Sequence, residues 1–286
     1  MNIRRQARAP SPQHVPEHAL CTPADARQYR PLDGAAILSL AVRWPQYRSH
    51  IGATLDTRSF DDLSGLAGHH PMGVSTGIFK QERGAWPQLV AQASGISTYV
   101  VELSALSGDE LPGLLAYLRG QPRLPFRYVS VHAPAKDFDE QTVVGQLAEL
   151  PFEVRAIVVH PDAMLDPGSY RTLGTRLVIE NMDDRKHAGR TVDELQPVFD
   201  DLPDAGFCFD VAHAWSVDPS MQLAHELLDQ FRTRLRHVHL SSLGSDGHHI
   251  PLRAEDEQLF GEVLQRCRDV PWVLEARPLA EWTAHR

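Results

Sequence analysis

The sequence predicts a (β/α)8 TIM barrel with an N-terminal extension, and three observations carry that expectation. Eight short apolar runs rich in β-branched residues recur after about residue 70. Longer amphipathic stretches separate them, several opening on the Ser, Thr, Asp or Pro expected at a helix start. Eight such units spread over roughly 210 residues suit a barrel, whose usual size is about 200–400 residues. A doubly wound open sheet is the structural alternative, but no GxGxxG follows the first run to support it.

Residues 1–70 read as an N-terminal arm and helix, and residues 71–286 as the barrel domain. The first 32 residues are rich in proline and charge without periodicity, the pattern of a loosely packed or disordered arm. From Gly34, "GAAILSLAVRWPQYRSHIGATL" is apolar enough for a packed helix. The predicted strands are then "GVSTGIF", "TYVVEL", "YVSVH", "VRAIVVH", "RLVIE", "GFCFD", "RHVHL" and "WVLE". Helical patterns such as "DELPGLLAYLRG", "TVDELQPVFDDL", "PSMQLAHELLDQFRTRL" and "EDEQLFGEVLQRCR" lie between them.

Composition excludes several function classes. The three cysteines, Cys21, Cys208 and Cys267, are odd in number and irregularly spaced, so neither a disulfide framework nor a CxxC metal site is indicated. With no signal-peptide pattern at the N-terminus and no apolar run near the roughly 18 residues of a membrane span, a cytoplasmic location is expected. Net charge is −9, and residues 1–50 carry seven arginines against three acids, which leaves −13 for the rest. An acidic body repels phosphate backbones, so a small-molecule substrate is expected in preference to a nucleic acid. Oligomeric state is not readable from these features.

The strand ends carry the chemistry. The third predicted strand ends at His132, the fourth at His160 and the fifth at Glu180. The sixth ends at Asp210 with His213 three residues on, the seventh at His239 and the eighth at Glu275. In a barrel all of these lie on the C-terminal rim, where active sites of this architecture are built. Any one alone reads as a structural histidine or a helix cap. Together, carboxylates brought close repel one another unless neutralised, and a divalent cation is the simplest neutraliser. Mixed His/Asp/Glu ligation suits zinc or manganese, with iron and cobalt also within range, at one to three ions per chain. Cys208 shares the inward face by alternation and reads as core filler. His237 shares the face of His239 one layer deeper, and with His187 and His225 reads as structural or solvent-facing. Glu102 reads either as facing the barrel mouth or as a strand-end glutamate paired with a basic residue. Trp215 and Phe138 read as rim-loop aromatics that pack locally.

The motifs "SVHAP", "VVHPD", "VIENMD", "FDVAHA", "HVHLSS" and "VLEA", in that order, resemble the xylose-isomerase-like TIM-barrel superfamily. That superfamily includes endonuclease IV, sugar isomerases and ketose 3-epimerases. The resemblance spans about residues 72–278 and implies roles for single residues. Glu180, Asp210, His239 and Glu275 match the four ligands of the single metal in the epimerase branch. His213 matches a substrate- or metal-contacting histidine, which makes Glu180, Glu275 and His213 the catalytic candidates. His132 and His160 match the additional ligands that endonuclease IV uses to hold further zinc ions.

"SDGHHIPL" leaves a choice open. Asp246-Gly247-His248 has the Asp-x-His spacing of the endonuclease IV pattern, whereas anchoring on the common HxPL selects His249 as the ligand and puts Gly247 at the aspartate's place. Asp246 also has turn chemistry of its own. The only lysines are Lys80, Lys136 and Lys186, each a few residues past a strand end on the ligand-bearing rim. An ammonium there binds a phosphate or carboxylate as a point charge. Lys136 and Lys186, helped by Arg185 and Arg277, are therefore the expected contacts to an anionic substrate group.

The expectation is thus a divalent-metal-dependent isomerase or epimerase of a small, sugar-like, anionic substrate. The alternative is an endonuclease IV-like multinuclear hydrolase of a phosphoester. A multinuclear non-haem iron oxygenase and a non-catalytic metal-binding protein rank below these.

Overall fold

The computed structural model describes residues 70–252 and 254–276. The predicted arm and helix of residues 1–70 therefore lie outside the described residues, save for His70, as does Arg277. Among the described residues, no helix is long and apolar enough to cross a membrane.

Eight parallel strands close into a barrel. They are β1 (Met72–Ser75), β2 (Val100–Ser104), β3 (Tyr128–His132), β4 (Val154–Val159), β5 (Leu177–Glu180), β6 (Gly206–Asp210), β7 (Leu235–Leu240) and β10 (Trp272–Leu274). Strands β1 to β7 pair in sequence, and β10 bonds to both β7 and β1 to complete the ring. Between β7 and β10 a small antiparallel ribbon, β8 (Ser242–Leu243) with β9 (His249–Ile250), rises from the rim.

Strand alternation sorts the side chains into two sets. Outward residues such as Val101, Leu103, Val131, Ile157, Ile179, Phe207, Phe209 and Leu240 join the large core under the helices. Inward residues Val100, Tyr128, Ala156, Val158, Val178, Cys208 and Val273 form a separate small cluster inside the barrel. Two residues further along each strand, the same inward parity delivers Glu102, Ser130, His160, Glu180, Asp210 and Glu275. One geometric rule thus seals the lower interior with apolar groups and arms the upper interior with polar ones.

Helices α1 (Trp86–Ile96), α2 (Leu111–Arg119), α3 (Glu140–Ala148), α4 (Val192–Asp201), α5 (Val211–Val217), α6 (Gln222–Phe231) and α7 (Ala254–Gln265) occupy the connections. Side-chain caps set several starts: Asp139 accepts from the Thr142 N–H, and Thr191 accepts from the Glu194 N–H. Two expectations need correction. The first predicted strand, 73–79, stops at Ser75, because the Ser75 hydroxyl accepts the Gly77 N–H and turns the chain into a 3-10 helix, Thr76–Ile78. The β4–β5 connection carries 3-10 turns in place of an α-helix. Its residues "PGSYRTLGTR" bring proline and glycine into the span, and Gly174 breaks it with φ of 56°.

Candidate metal centre at the barrel mouth

Each candidate ligand sits at or just past a strand end, inside the ring. Glu180 is at its centre and only 1% exposed. Its Oε2 lies 3.3 Å from His132 Nε2 and 3.3 Å from His160 Nε2, and the two imidazole nitrogens are 3.1 Å apart. Its Oε1 lies 3.2 Å from His239 Nδ1, which is itself 3.3 Å from Glu275 Oε1. A tetrahedral zinc ion bound at roughly 2.0–2.1 Å needs donor atoms about 3.3 Å apart. One triangle of donors with about that edge length, and a run of two such contacts through His239, therefore share one carboxylate.

Three adjoining groups of residues could hold cations: His132, His160 and Glu180; Glu180, Asp210, His239 and Glu275; and Asp210, His213 and His249. Asp210 joins the last two. Its Oδ1 caps α5 by accepting the His213 N–H at 2.7 Å, while its buried Oδ2 has no hydrogen-bond partner. Asp210 is thus a helix cap and a ligand candidate at once. Glu180 Oε2 is likewise buried without a hydrogen-bond partner. Acceptors left bare amid further donors and acceptors fit a cation, since an unpaired buried carboxylate oxygen is otherwise costly.

The imidazoles are aimed by hydrogen bonds on their other nitrogens. His132 Nδ1 donates to the Ala133 carbonyl at 2.9 Å, and His213 Nδ1 donates to the Asn181 carbonyl at 2.9 Å. The Ser241 hydroxyl engages His249 Nδ1 at 2.7 Å. His132 Nε2 is thereby left to face Glu180 and His160, the arrangement by which metal-binding histidines are oriented, while His213 Nε2 faces Asp183. Asn181 also clamps β5 to β6, donating to the Asp210 carbonyl and accepting the Asp210 N–H.

Electrostatics point the same way. Burial pushes the Glu275 carboxyl well above its usual range, and the charges of Asp210, Glu180 and Glu102 add to that push against the pull of His239. Glu180 goes the other way: burial would raise it, but His239, His132 and His160 hold it well below. The ring carries more negative charge than its own histidines settle, the situation that a divalent cation relieves.

The ambiguous segment is a hairpin. Leu243 pairs with His249 and Ser242 with Ile250, and Gly244 and Gly247 close the turn. Asp246 is exposed and accepts the His248 N–H at 3.1 Å, so it shapes the turn; His248 is exposed as well. His249 is the residue of this segment that reaches the ligand groups. Gly247 has φ of 74°, and a Cβ there would come within 3.0 Å of the Arg185 guanidinium.

The cationic candidates divide. Lys186 is tied to Asp162 at 2.8 Å, and Arg185 grips Asp183 through two nitrogens, so both carry compensated charge. Lys136 and Lys80 are exposed. Glu102 is fully buried inside the ring, and the basic residue beside it is a histidine, His239, with the Ser130 hydroxyl as its other partner. Sequence reasoning misses Asp183, Asn181, Ser130 and Ser241. Asp183 lies 3.8 Å from His213 Nε2, and its place within "ENMD" is the one available signal. His187 is exposed, His225 bonds Arg266, and Trp215 packs edge-on against Phe260.

Residues 169–277 match the family model of the xylose isomerase-like TIM barrel. That span holds Glu180, Asp210, His213, His239, His249 and Glu275, while His132 and His160 precede it. Among solved structures, endonuclease IV from Thermus thermophilus is 21% identical, with TM-score 0.49, covering 75% of this chain and 95% of that one. The 3-keto-D-glucoside 4-epimerase YcjR of E. coli is 18% identical, with TM-score 0.47, covering 74% and 94%. D-psicose 3-epimerase of Clostridium cellulolyticum is 11% identical, with TM-score 0.45, covering 72% and 84%. No curated protein sequence matches the chain.

Proposed function

We propose, on the premise that residues 169–277 match the family model of the xylose isomerase-like TIM barrel, that the chain is a multinuclear metal-dependent hydrolase of a small phosphoester. The observation that carries this reading is the sharing of Glu180 between two groups of donors, one oxygen facing His132 and His160 and the other facing His239. Both oxygens of Glu180 are committed to histidines, which suits a bridging ligand and leaves it poorly placed to shuttle a proton. Metal ions held there would supply Lewis-acid charge to a phosphoryl group and an activated water.

The protein's own groups do the rest. His132, His160 and His239 would hold the ions together with the carboxylates of Glu180, Asp210 and Glu275. His213 and His249 complete the third group beside Asp210. Lys136, exposed on the β3 rim, is the cation best free to meet a substrate anion, since Lys186 and Arg185 are held by carboxylates. The acidic body favours a small substrate over a nucleic acid.

Isomerisation or epimerisation, first in order from the sequence, is the second reading. It is favoured by Glu275, at 14% exposed the most accessible ligand carboxylate, which is placed to move a proton. Metal analysis of the purified full-length chain, paired with two assays, separates the readings. The hydrolase reading expects two or three ions per chain and release of p-nitrophenol from a p-nitrophenyl phosphoester. One ion per chain, together with deuterium uptake from D2O into a ketose, would instead establish the isomerase. An abasic-site oligonucleotide tests whether DNA is a substrate.

A further inference from the structure

Among the described residues, strands β1 and β2 give nothing to the ligand groups, yet β2 buries a carboxylate directly beneath them. Glu102 is fully enclosed, and donors surround it. The Ser130 hydroxyl donates to Glu102 Oε2 at 3.0 Å, His239 Nε2 stands 3.2 Å from the same oxygen, and His237 Nε2 lies 3.7 Å away. An ionised carboxylate only accepts hydrogen bonds, so the His239 nitrogen facing it must carry a proton. The opposite nitrogen, Nδ1, faces Glu180 Oε1 and Glu275 Oε1, two more acceptors.

We infer that Glu102 is a positioning residue: it accepts the Nε2–H of His239 and thereby presents His239 Nδ1 to the metal group above. This inference rests on the metal reading of the mouth. It accounts for a difference among the histidines. His132 is held at Nδ1 and faces Glu180 with Nε2, whereas His239 is held at Nε2 and faces Glu180 with Nδ1. The reversal follows from depth. His132 takes its second partner from its own rim, at Ala133, but His239 lies lower and meets a side chain from across the barrel. Carboxylate–histidine–metal arrangements of this kind fix both tautomer and ring direction, and losing the carboxylate typically weakens metal affinity by about 10–100-fold.

A rival use of the same atoms exists. Cys208, His237 and His239 also form a fully buried group with donor atoms close enough for an ion. Buried Glu102 Oε1 and His237 Nε2 have no hydrogen-bond partner. In that arrangement His239 Nε2 would be a ligand and could not donate to Glu102. The Tyr128 hydroxyl, 3.0 Å from His237 Nδ1, and the Ser130 hydroxyl supply this layer with polar partners without an ion.

The test is long-range 1H–15N NMR of histidine-labelled full-length protein, metal-free and zinc-loaded, with cobalt titration alongside. The wild type is expected to show a protonated Nε2 on His239 in both forms. In Glu102→Leu that signal moves and cobalt affinity falls about 10–100-fold. Ser130→Ala, which removes one small group, shifts both readouts in the same direction by less and guards against a fold defect in the first variant. A bare His239 Nε2 in the wild type overturns the inference. So does unchanged cobalt affinity in a folded Glu102→Leu, or a thiolate-to-cobalt charge-transfer band that Cys208→Ser abolishes. If the wild type binds no cobalt while Nε2 stays protonated, it is the metal reading that fails, and the role of Glu102 toward a cation falls with it.

Discussion

The two ends of the barrel interior are built from the same strands and carry opposite chemistry. Below lie Val100, Tyr128, Val158, Val178, Cys208 and Val273, a mainly apolar cluster that the Tyr128 hydroxyl joins to His237. Above, at the next inward positions, stand Glu102, Ser130, His160, Glu180, Asp210 and Glu275. The lower set stabilises by burial at about 25 cal/mol per Å² of apolar surface. The upper set spends stability, because close carboxylates destabilise one another until a cation arrives. The lesson is one of division of labour along each strand: a step of two residues separates the part that holds the ring closed from the part that acts.

That division can be broken at the top first. Glu180→Gln removes a charge from both donor groups that share Glu180, and is expected to empty at least one metal position and lower turnover more than about 100-fold, read by metal analysis and the phosphoester assay. His160→Ala should remove one ion and leave the Asp210, His239 and Glu275 group loaded. Loss of every ion in His160→Ala would show that the groups do not fill separately. At the bottom, Val158→Ala is expected to cost about 2 kcal/mol in denaturant unfolding with metal content unchanged.

The base also has a titrating group far from the mouth. His70 donates from Nε2 to the Val270 carbonyl at 2.8 Å and stacks on Trp272, and burial lowers its pKa from 6.5 to about 3. Its folded value lies below its unfolded one, so the unfolded chain takes up the proton first. Its contribution is whole above pH 6.5 and is lost as pH falls toward 3, at about 1.4 kcal/mol per pH unit. His70→Gln should flatten that limb of the stability profile relative to wild type. The smallest effect is expected from Lys136→Met: about a tenfold rise in KM with kcat and metal content held, and an unchanged KM would remove Lys136 from substrate binding.

Much of this arrangement is legible in the sequence, because it rests on alternation. The strand-end residues His132, His160, Glu180, Asp210, His239 and Glu275 stand out as soon as the apolar runs are aligned by their ends. What escapes such a reading depends on distance across the ring. Glu102 lies 137 positions from His239 in the chain yet 3.2 Å away in space, and strand alternation alone names its face and not its partner. The hairpin escapes for another reason. "SDGHH" allows two registers, and only the pairing of Leu243 with His249 selects between them. The β4–β5 connection misleads because its length suits a helix while Gly174 leaves helical geometry inside it.

The ribbon that bears His249 stands apart from the hydrogen-bonded ring. Its four paired residues pair with each other and with no barrel strand, so the closure of the eight-stranded ring does not depend on the ribbon's tip. Residues 245, 246 and 248 can therefore vary and change the shape of the doorway while Gly247, with its positive φ against Arg185, is the constrained position of the turn and the candidate ligands on β3 to β7 and β10 stay in place. The barrel is the inherited instrument, and this short ribbon is where selectivity can be retuned.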